Sequence, residues 1–329
     1  KMMDPLRVAF VGCGRFSGRA IYPSLAASGM ELVAVCGRTR ERTETRAAEY
    51  GVEQVFYDPV EMCTAVKPDA VLIVAGPQGH YDIASALIPL GLPIWMEKPC
   101  AVNSEQASEL SARAGAAGLL VQVGFNYRYT RGIQKALDLT RMDESSTPAM
   151  VSVRWWLGEP DRRRLMQHYG CHAVDLLHYL TPGGLLDSEP PHVDYTRKGN
   201  HDYYLATFRG VEGCIAVLEF TSQMPLEGHW SRVDLHSSDG LISVREFSEV
   251  THHKSGSRGD LAGPEEPAWN GDSIWPTGAA IAAGSFREVW GYLPELVRFR
   301  EAAQGLRSPE STIHEAAWGM KVLDRLMAS

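Results

Sequence analysis

At 329 residues the chain exceeds what one ordinary core serves and fits two domains. Its apolar fraction of 44% and charged fraction of 22% are those of a globular protein and exclude a disordered one. A formal net charge of -8 argues against nucleic acid as a partner, because phosphate binding needs a basic surface.

No apolar run approaches the ~20 residues of a membrane span, and the opening Lys1-Met2-Met3 lacks the apolar core of a secretory leader. The six cysteines (Cys13, Cys36, Cys63, Cys100, Cys171 and Cys214) form no CxxC pair, and several sit inside apolar runs as small hydrophobes. The expectation is a cytoplasmic protein with reduced thiols and no membrane partner.

Residues 6–11 (LRVAFV) predict a buried strand that runs straight into Gly12-Cys13-Gly14. A helix is expected over 15–27, a strand over 31–36 and a charged helix over 40–50. Strands follow at 70–75, 93–96 and 119–123, with helices at 81–90 and 107–117 between them. Continuously apolar strands alternating with helices describe a parallel sheet covered on both faces. This places a Rossmann-type α/β domain at 1–122. Beyond it, 150–157, 203–209, 213–222, 230–237 and 241–247 predict strands, 210–213 a hairpin loop and 169–180 a helix. The second domain, 123–329, is therefore expected to be α+β with a large, mostly antiparallel sheet. A long loop is expected over 250–278, and helices over 285–304 and 313–327 close the chain.

Gly12-Cys13-Gly14-Arg15-Phe16-Ser17-Gly18 approaches the GxGxxG fingerprint of a dinucleotide site. It follows a strand and opens a helix, so backbone amides at the helix start face an incoming pyrophosphate. Ser17 stands where the third glycine would be and is still small enough for close packing. An NAD site would place Asp or Glu at the end of the second strand to hold the ribose 2′-hydroxyl. Here Cys36-Gly37-Arg38-Thr39-Arg40 stands instead, with Arg42 beyond it, and Glu31 lies at the strand's other end. Guanidinium groups in place of a carboxylate suit a 2′-phosphate, which favours NADP over NAD.

Trp95-Met96-Glu97-Lys98-Pro99 ends a strand, and Gly124-Phe125-Asn126-Tyr127-Arg128-Tyr129 follows the next one. With the glycine fingerprint, Pro77-Gln78-Gly79-His80 and His172-Ala173-Val174-Asp175-Leu176-Leu177, they make a chain that resembles the glucose–fructose oxidoreductase, inositol dehydrogenase and rhizopine-catabolism (Gfo/Idh/MocA) family. The resemblance implies that Lys98 reaches the reacting hydroxyl or carbonyl and that the Lys98–Pro99 peptide is cis. It also implies a cofactor set of Gly12, Cys13, Gly14, Arg15, Phe16, Ser17, Arg38, Thr39, Pro77, His80, Glu97 and Lys98. Glu97 either positions the backbone near the cofactor or forms a structural salt bridge.

His172 is the candidate acid/base, since a near-neutral imidazole accepts an alcohol proton as hydride leaves carbon. Asp175, three residues on, shares its helical face. The family usually carries Asp four residues before this His, whereas this chain has His168 there. His168 is therefore a candidate catalytic or substrate-positioning residue beside His172. The substrate set adds Tyr127, Arg128 and Asp175, Arg128 either binding substrate or tying the domains together. His168, Cys171, His172 and Asp175 also have half-site spacing for a metal, but the favoured reading has none. Of Trp155 and Trp156, adjacent on a strand, one faces inward. Trp269 and Trp275 either stack on a sugar or pack within the long loop.

The leading expectation is an enzyme that transfers hydride between NADP(H) and a hydroxyl of a sugar, inositol or related polyol. An NAD-retaining glycosidase of the same family and a non-catalytic nicotinamide-sensing regulator are the alternatives. An uncovered sheet face in the second domain, as in the family, predicts a homodimer or homotetramer.

Overall fold

The computed structural model describes residues 4–142, 144–224, 229–254, 272–276 and 286–328. They divide into two units, Lys1–Tyr129 with Ser285–Asp324, and Thr130–Gly284 with Arg325–Ser329.

Six strands form the first unit's sheet: β1 (Leu6–Val11), β2 (Met30–Cys36), β3 (Val55–Phe56), β4 (Ala70–Ile73), β5 (Ile94–Glu97) and β6 (Val121–Gly124). All pair in parallel, in the order β3-β2-β1-β4-β5-β6. The order reverses between β1 and β4, so the loops leaving their carboxyl ends splay apart into a crevice. Connecting helices are α1 (Arg15–Ala20), α2 (Arg40–Glu49), α3 (Pro59–Val66), α4 (Pro77–Leu87) and α5 (Ser104–Ala116). The helix expected over 15–27 stops at Ala20 and continues as two 3₁₀ turns, Tyr22–Ser24 and Ala26–Ser28. Pro23 is the reason, because it has no N–H to donate back along an α-helix. β3 and α3 were not expected; the other elements of this sheet lie close to where they were expected, α4 beginning earlier with Pro77 in its first turn.

In the second unit, α6 (Arg131–Thr140), α7 (Arg162–Leu165) and α8 (Cys171–Leu180) accompany eight strands. These are β7 (Met150–Leu157), β8 (His192–Lys198), β9 (His201–Arg209), β10 (Ile215–Thr221), β11 (His229–Ser237), β12 (Gly240–Arg245), β13 (Glu249–Lys254) and β14 (Asp272–Pro276). The sheet runs β14-β13-β12-β11-β7-β10-β9-β8, antiparallel except for the β7–β10 pair. One face packs on α6 and α8, burying Val153, Trp155, Ala206, Leu218 and Val233. The expected hairpin joins β9 and β10. β8, β13 and β14 were not expected, and β13 and β14 take up part of the stretch read as a loop over 250–278. Trp269 lies outside the described residues, as does the side chain of Trp275.

The chain closes with α9 (Phe286–Val289), α10 (Tyr292–Ala303) and α11 (Ile313–Ala328). Leu296 and Phe299 of α10 are fully buried in one core with Leu6, Val8, Phe10, Leu72 and Trp95. Residues 285–324 therefore group with the N-terminal unit, where the expected boundary gave everything after 122 to the second domain. Among the described residues no helix is long and apolar enough to cross a membrane. None of the six cysteines is in a disulfide.

Candidate active site

The turn after β1 is shaped by what cannot fit there. Gly12 sits at φ +120°, and a Cβ on it would lie 2.0 Å from the Val74 carbonyl oxygen. Only glycine meets both conditions. A Cβ on Gly14 would meet nothing within 4 Å, so open space fronts the start of α1. That space belongs to a cavity of about 670 Å³ whose walls include Gly12, Cys13, Gly14, Arg38, Thr39 and Pro77. Its size and its free helix start fit a nucleotide held by backbone amides.

Not every residue of the fingerprint faces this cavity. The buried Ser17 hydroxyl donates to the Gly12 and Gly14 carbonyls, both at 3.1 Å, and so ties the turn together from behind. Phe16 is exposed and packs edge-on against Tyr292 at 5.9 Å, and Arg15 also points outward. Neither lines the cavity, because side chains at these positions project away from the helix start. Of the basic residues after β2, Arg38 and Arg42 line the cavity with Thr39. Arg40 turns away, paired with Glu44 at 3.2 Å and stacked 4.6 Å from the Tyr57 ring centre. Arg46 had no signal in the sequence reading. Its guanidinium fills the space beside Gly18, where a Cβ would lie 2.1 Å from Nη2, and stacks 5.1 Å from the Tyr22 ring centre.

At the end of β5, Glu97 is buried while Lys98 is half-buried, and the Lys98–Pro99 peptide is cis. A Glu97 carboxylate oxygen accepts the Lys98 N–H at 2.9 Å. Burial pushes the Glu97 carboxyl up to about 7, against the opposing pull of the Lys98 charge and that hydrogen bond. Gly124 pairs with Glu97 across the sheet, and a Cβ on it would lie 2.9 Å from the Trp95 ring, so the strand end is closely packed.

His80 does not line the cavity. It is 1% exposed, its Nε2 accepts from the Ala75 and Gly76 amides at 3.0 and 3.3 Å, and its Nδ1 lies 2.8 Å from the Pro99 carbonyl oxygen. Both ring nitrogens are thus committed to backbone, which corrects its expected place among the cofactor contacts. Burial lowers its pKa to about 4, with the Pro99 hydrogen bond opposing and the Lys98 charge assisting.

The segment after β6 turns inward. The Asn126 amide donates to the Trp290 carbonyl at 2.7 Å, and Tyr127 meets the Trp290 ring edge-on at 5.9 Å. Arg128 is 1% exposed and pairs with Glu315 at 3.0 Å. Burial alone would raise the Glu315 carboxyl, but Arg128 and the Thr312 amide and hydroxyl outweigh it and hold it below its ordinary value. Arg128 is thus tied to α11 within the first unit, where the expectation was either substrate binding or a tie between the domains. Glu315, far along the chain, was not anticipated.

In the second unit, His172 and Asp175 are buried on α8, whereas His168 is exposed on a π-helical turn, Met166–Gly170. That turn sends the Cys171 N–H to the Met166 carbonyl, five residues back, so the regular helix expected over 169–180 begins only at Cys171. The two histidines consequently occupy different surroundings, and the His172 ring packs 6.3 Å from that of Trp155. Trp155 is the inward member of its pair, and Trp156 on the other face donates to Glu219 at 2.8 Å. His178 Nδ1 accepts the Leu185 N–H at 3.1 Å, a structural contact. Among the described residues no group of three or more His, Cys, Asp or Glu side chains is placed to hold a metal.

Comparison with known proteins agrees with this geometry. Residues 6–125 match the Gfo/Idh/MocA family model, an oxidoreductase family with an NAD-binding Rossmann fold. D-glucoside 3-dehydrogenase of Escherichia coli (strain K12) is 32% identical over 150 residues, 45% of this chain and 41% of that protein. Inositol 2-dehydrogenase of Salmonella typhimurium is 27% identical over 159 residues, 46% of this chain and 47% of that protein. The matched part of the chain thus spans about half the length of these curated relatives, or less. A dehydrogenase structure from Chromobacterium violaceum superposes with a TM-score of 0.85 at 21% identity, covering 99% of this chain and 95% of that one. Levoglucosan dehydrogenase in complex with NADH and L-sorbose gives 0.80 at 17% identity, covering 99% and 97%. These two share the fold of the whole chain.

Proposed function

We propose that this protein is an NAD(P)-dependent dehydrogenase that transfers hydride between the nicotinamide and a hydroxyl or carbonyl of a sugar, inositol or related polyol. One observation carries the reading: Lys98 stands at the carboxyl edge of the same parallel sheet whose β1, β2 and β4 loops build the nucleotide cradle. The names of the relatives, dehydrogenases of a glucoside and of inositol, support the substrate class. When bound, the nicotinamide supplies the hydride acceptor or donor. Lys98 polarises the reacting oxygen, His172 holds the alcohol proton in oxidation and returns it in reduction, and Tyr127, His168 and Asp175 position the substrate.

NADP is favoured over NAD. Arg38, Thr39 and Arg42 line the cavity beyond β2, and no carboxylate stands directly after Cys36, over residues 37–40. Assembly as a homodimer or homotetramer is supported by the second sheet's outer face. It carries exposed Leu205 and Ile215 and a hollow of about 840 Å³ bordered by Trp156 and Tyr203.

The test is a panel of sugars, inositols and glycosides with NADP⁺ and NAD⁺, followed at 340 nm. Net reduction of free cofactor by a polyol is the expected result. Cofactor that binds without turnover on any of them, or glycoside cleavage with the cofactor unchanged, would overturn the assignment.

A further inference from the structure

The β4–α4 turn, which lines the nucleotide cavity, and the Lys98–Pro99 corner, which carries the reacting residue, are joined through one buried side chain. Val74, Ala75, Gly76 and Pro77 form part of the cavity wall. The Ala75 and Gly76 amides lie at the start of α4, where backbone donors have no partner within the helix. Both point at His80 Nε2, at 3.0 and 3.3 Å. A nitrogen that accepts two N–H groups carries a lone pair and no proton, so the ring proton is on Nδ1. Nδ1 then donates to the Pro99 carbonyl at 2.8 Å. The ring is fixed at both ends, and it is 1% exposed, so water does not compete for either contact.

We infer that His80 is a positioning residue that couples the two halves of the proposed reaction site, Nε2 setting the cofactor-side turn and Nδ1–H holding the Pro99 carbonyl and with it Lys98. The inference rests on the dehydrogenase reading for its kinetic consequence, but the clamp itself is a property of the folded chain. A shift of about 1 Å at a reacting group costs on the order of 10²-fold in rate. Loosening the Pro99 end therefore acts on turnover. Loosening the Ala75 and Gly76 end acts on cofactor affinity.

Two substitutions separate the ends. In His80→Asn the side-chain amide stands in place of Nδ1 and donates to Pro99, but nothing reaches the two α4 amides. In His80→Gln the side-chain carbonyl reaches those amides and the Pro99 contact is lost. The expected result is a crossed pattern, with His80→Asn raising the cofactor Kd by about tenfold and lowering kcat by less. His80→Gln lowers kcat by about 10–100-fold and changes Kd by less. Equal effects of both substitutions on both constants, or losses confined to thermal stability, would overturn the inference. Nitrogen NMR of the wild-type imidazole is an arm independent of activity. It should show the proton on Nδ1, and an Nε2–H tautomer would refute the clamp even if the enzyme reads out on no substrate tried. If the clamp is seen but the wild type lacks dehydrogenase activity, the assigned reaction fails and the Kd arm alone decides the cofactor-side half.

Discussion

His80 and Glu97 sit at one corner and titrate in opposite senses, which gives a pH signature that only substitution reveals. Burial lowers His80 from 6.5 to about 4, so the folded state refuses a proton that the unfolded chain binds below 6.5. On its own this group makes the protein less stable as pH falls from 6.5 toward 4. Burial raises Glu97 from 4.5 to about 7, so the folded state keeps a proton that the unfolded chain has released. On its own that group makes the protein less stable as pH rises from 4.5 toward 7. Each shift corresponds to about 3 kcal/mol at the far end of its window, at about 1.4 kcal/mol per unit. Between 4.5 and 6.5 the folded and unfolded states then hold equal numbers of protons on this pair, and the slopes cancel. Glu97→Gln removes one slope and should leave a protein that loses about 2–3 kcal/mol between about pH 6.5 and 4.5. His80→Asn should do the reverse, becoming less stable over the same span as pH rises. Urea unfolding of wild type and both variants at half-unit intervals, followed by tryptophan fluorescence, measures the differences. Curves for Glu97→Gln and wild type that run parallel between about pH 4.5 and 6.5 would refute the reasoning.

Four other outcomes follow from the site. Arg38→Ala and Arg42→Ala should each weaken NADPH binding by about 1–3 kcal/mol with little effect on NADH, while Arg40→Ala changes neither, as fluorescence titration would show. Lys98→Ala or His172→Ala should cost about 10²–10⁴ in turnover at near-normal cofactor affinity. His168→Asp, which places a carboxylate four residues before His172, should move the pH–rate profile without abolishing activity, and an unchanged profile would remove His168 from the chemistry. Glu315→Gln removes the 3.0 Å ion pair to the buried Arg128 guanidinium and should destabilise the first unit by about 3 kcal/mol, measured by denaturant unfolding.

What could be read in the sequence was what depends on neighbours along the chain. The β4 run Ala70–Ile73 is buried throughout and reads as a strand covered on both faces because every residue in it is apolar. The Gly12 turn and the Glu97-Lys98-Pro99 strand end were legible for the same reason, since strand, loop and helix follow one another within a few residues. β8 and β13 were not, because HVDYTRK and EVTHHK are too polar for their alternation to stand out from a loop. The α10 helix was expected, but not its destination in the N-terminal core, which depends on Leu296 and Phe299 meeting strands nearly 300 positions earlier.

The site divides along the same line. Motif matching put His80 and Arg128 at meaningful positions, yet the partners they hold in the folded chain were not among those expected. What decides the task is the partner, and the partners are remote or belong to the backbone. Arg128 is committed by Glu315, 187 residues away, and His80 by the Pro99 carbonyl, a group that every residue type carries and no motif records. Glu97 makes the point from the side of charge. Its carboxyl is held near neutrality by burial beneath a closely packed β5–β6 end, where Gly124 leaves no room for a larger residue beside Trp95. Thus the identity of a candidate reacting residue such as Lys98 can be read locally, whereas the protonation and rigidity of its surroundings are set by tertiary contacts. Substitutions at His80, Glu97 and Gly124 therefore probe those surroundings without changing the chemical identity of Lys98.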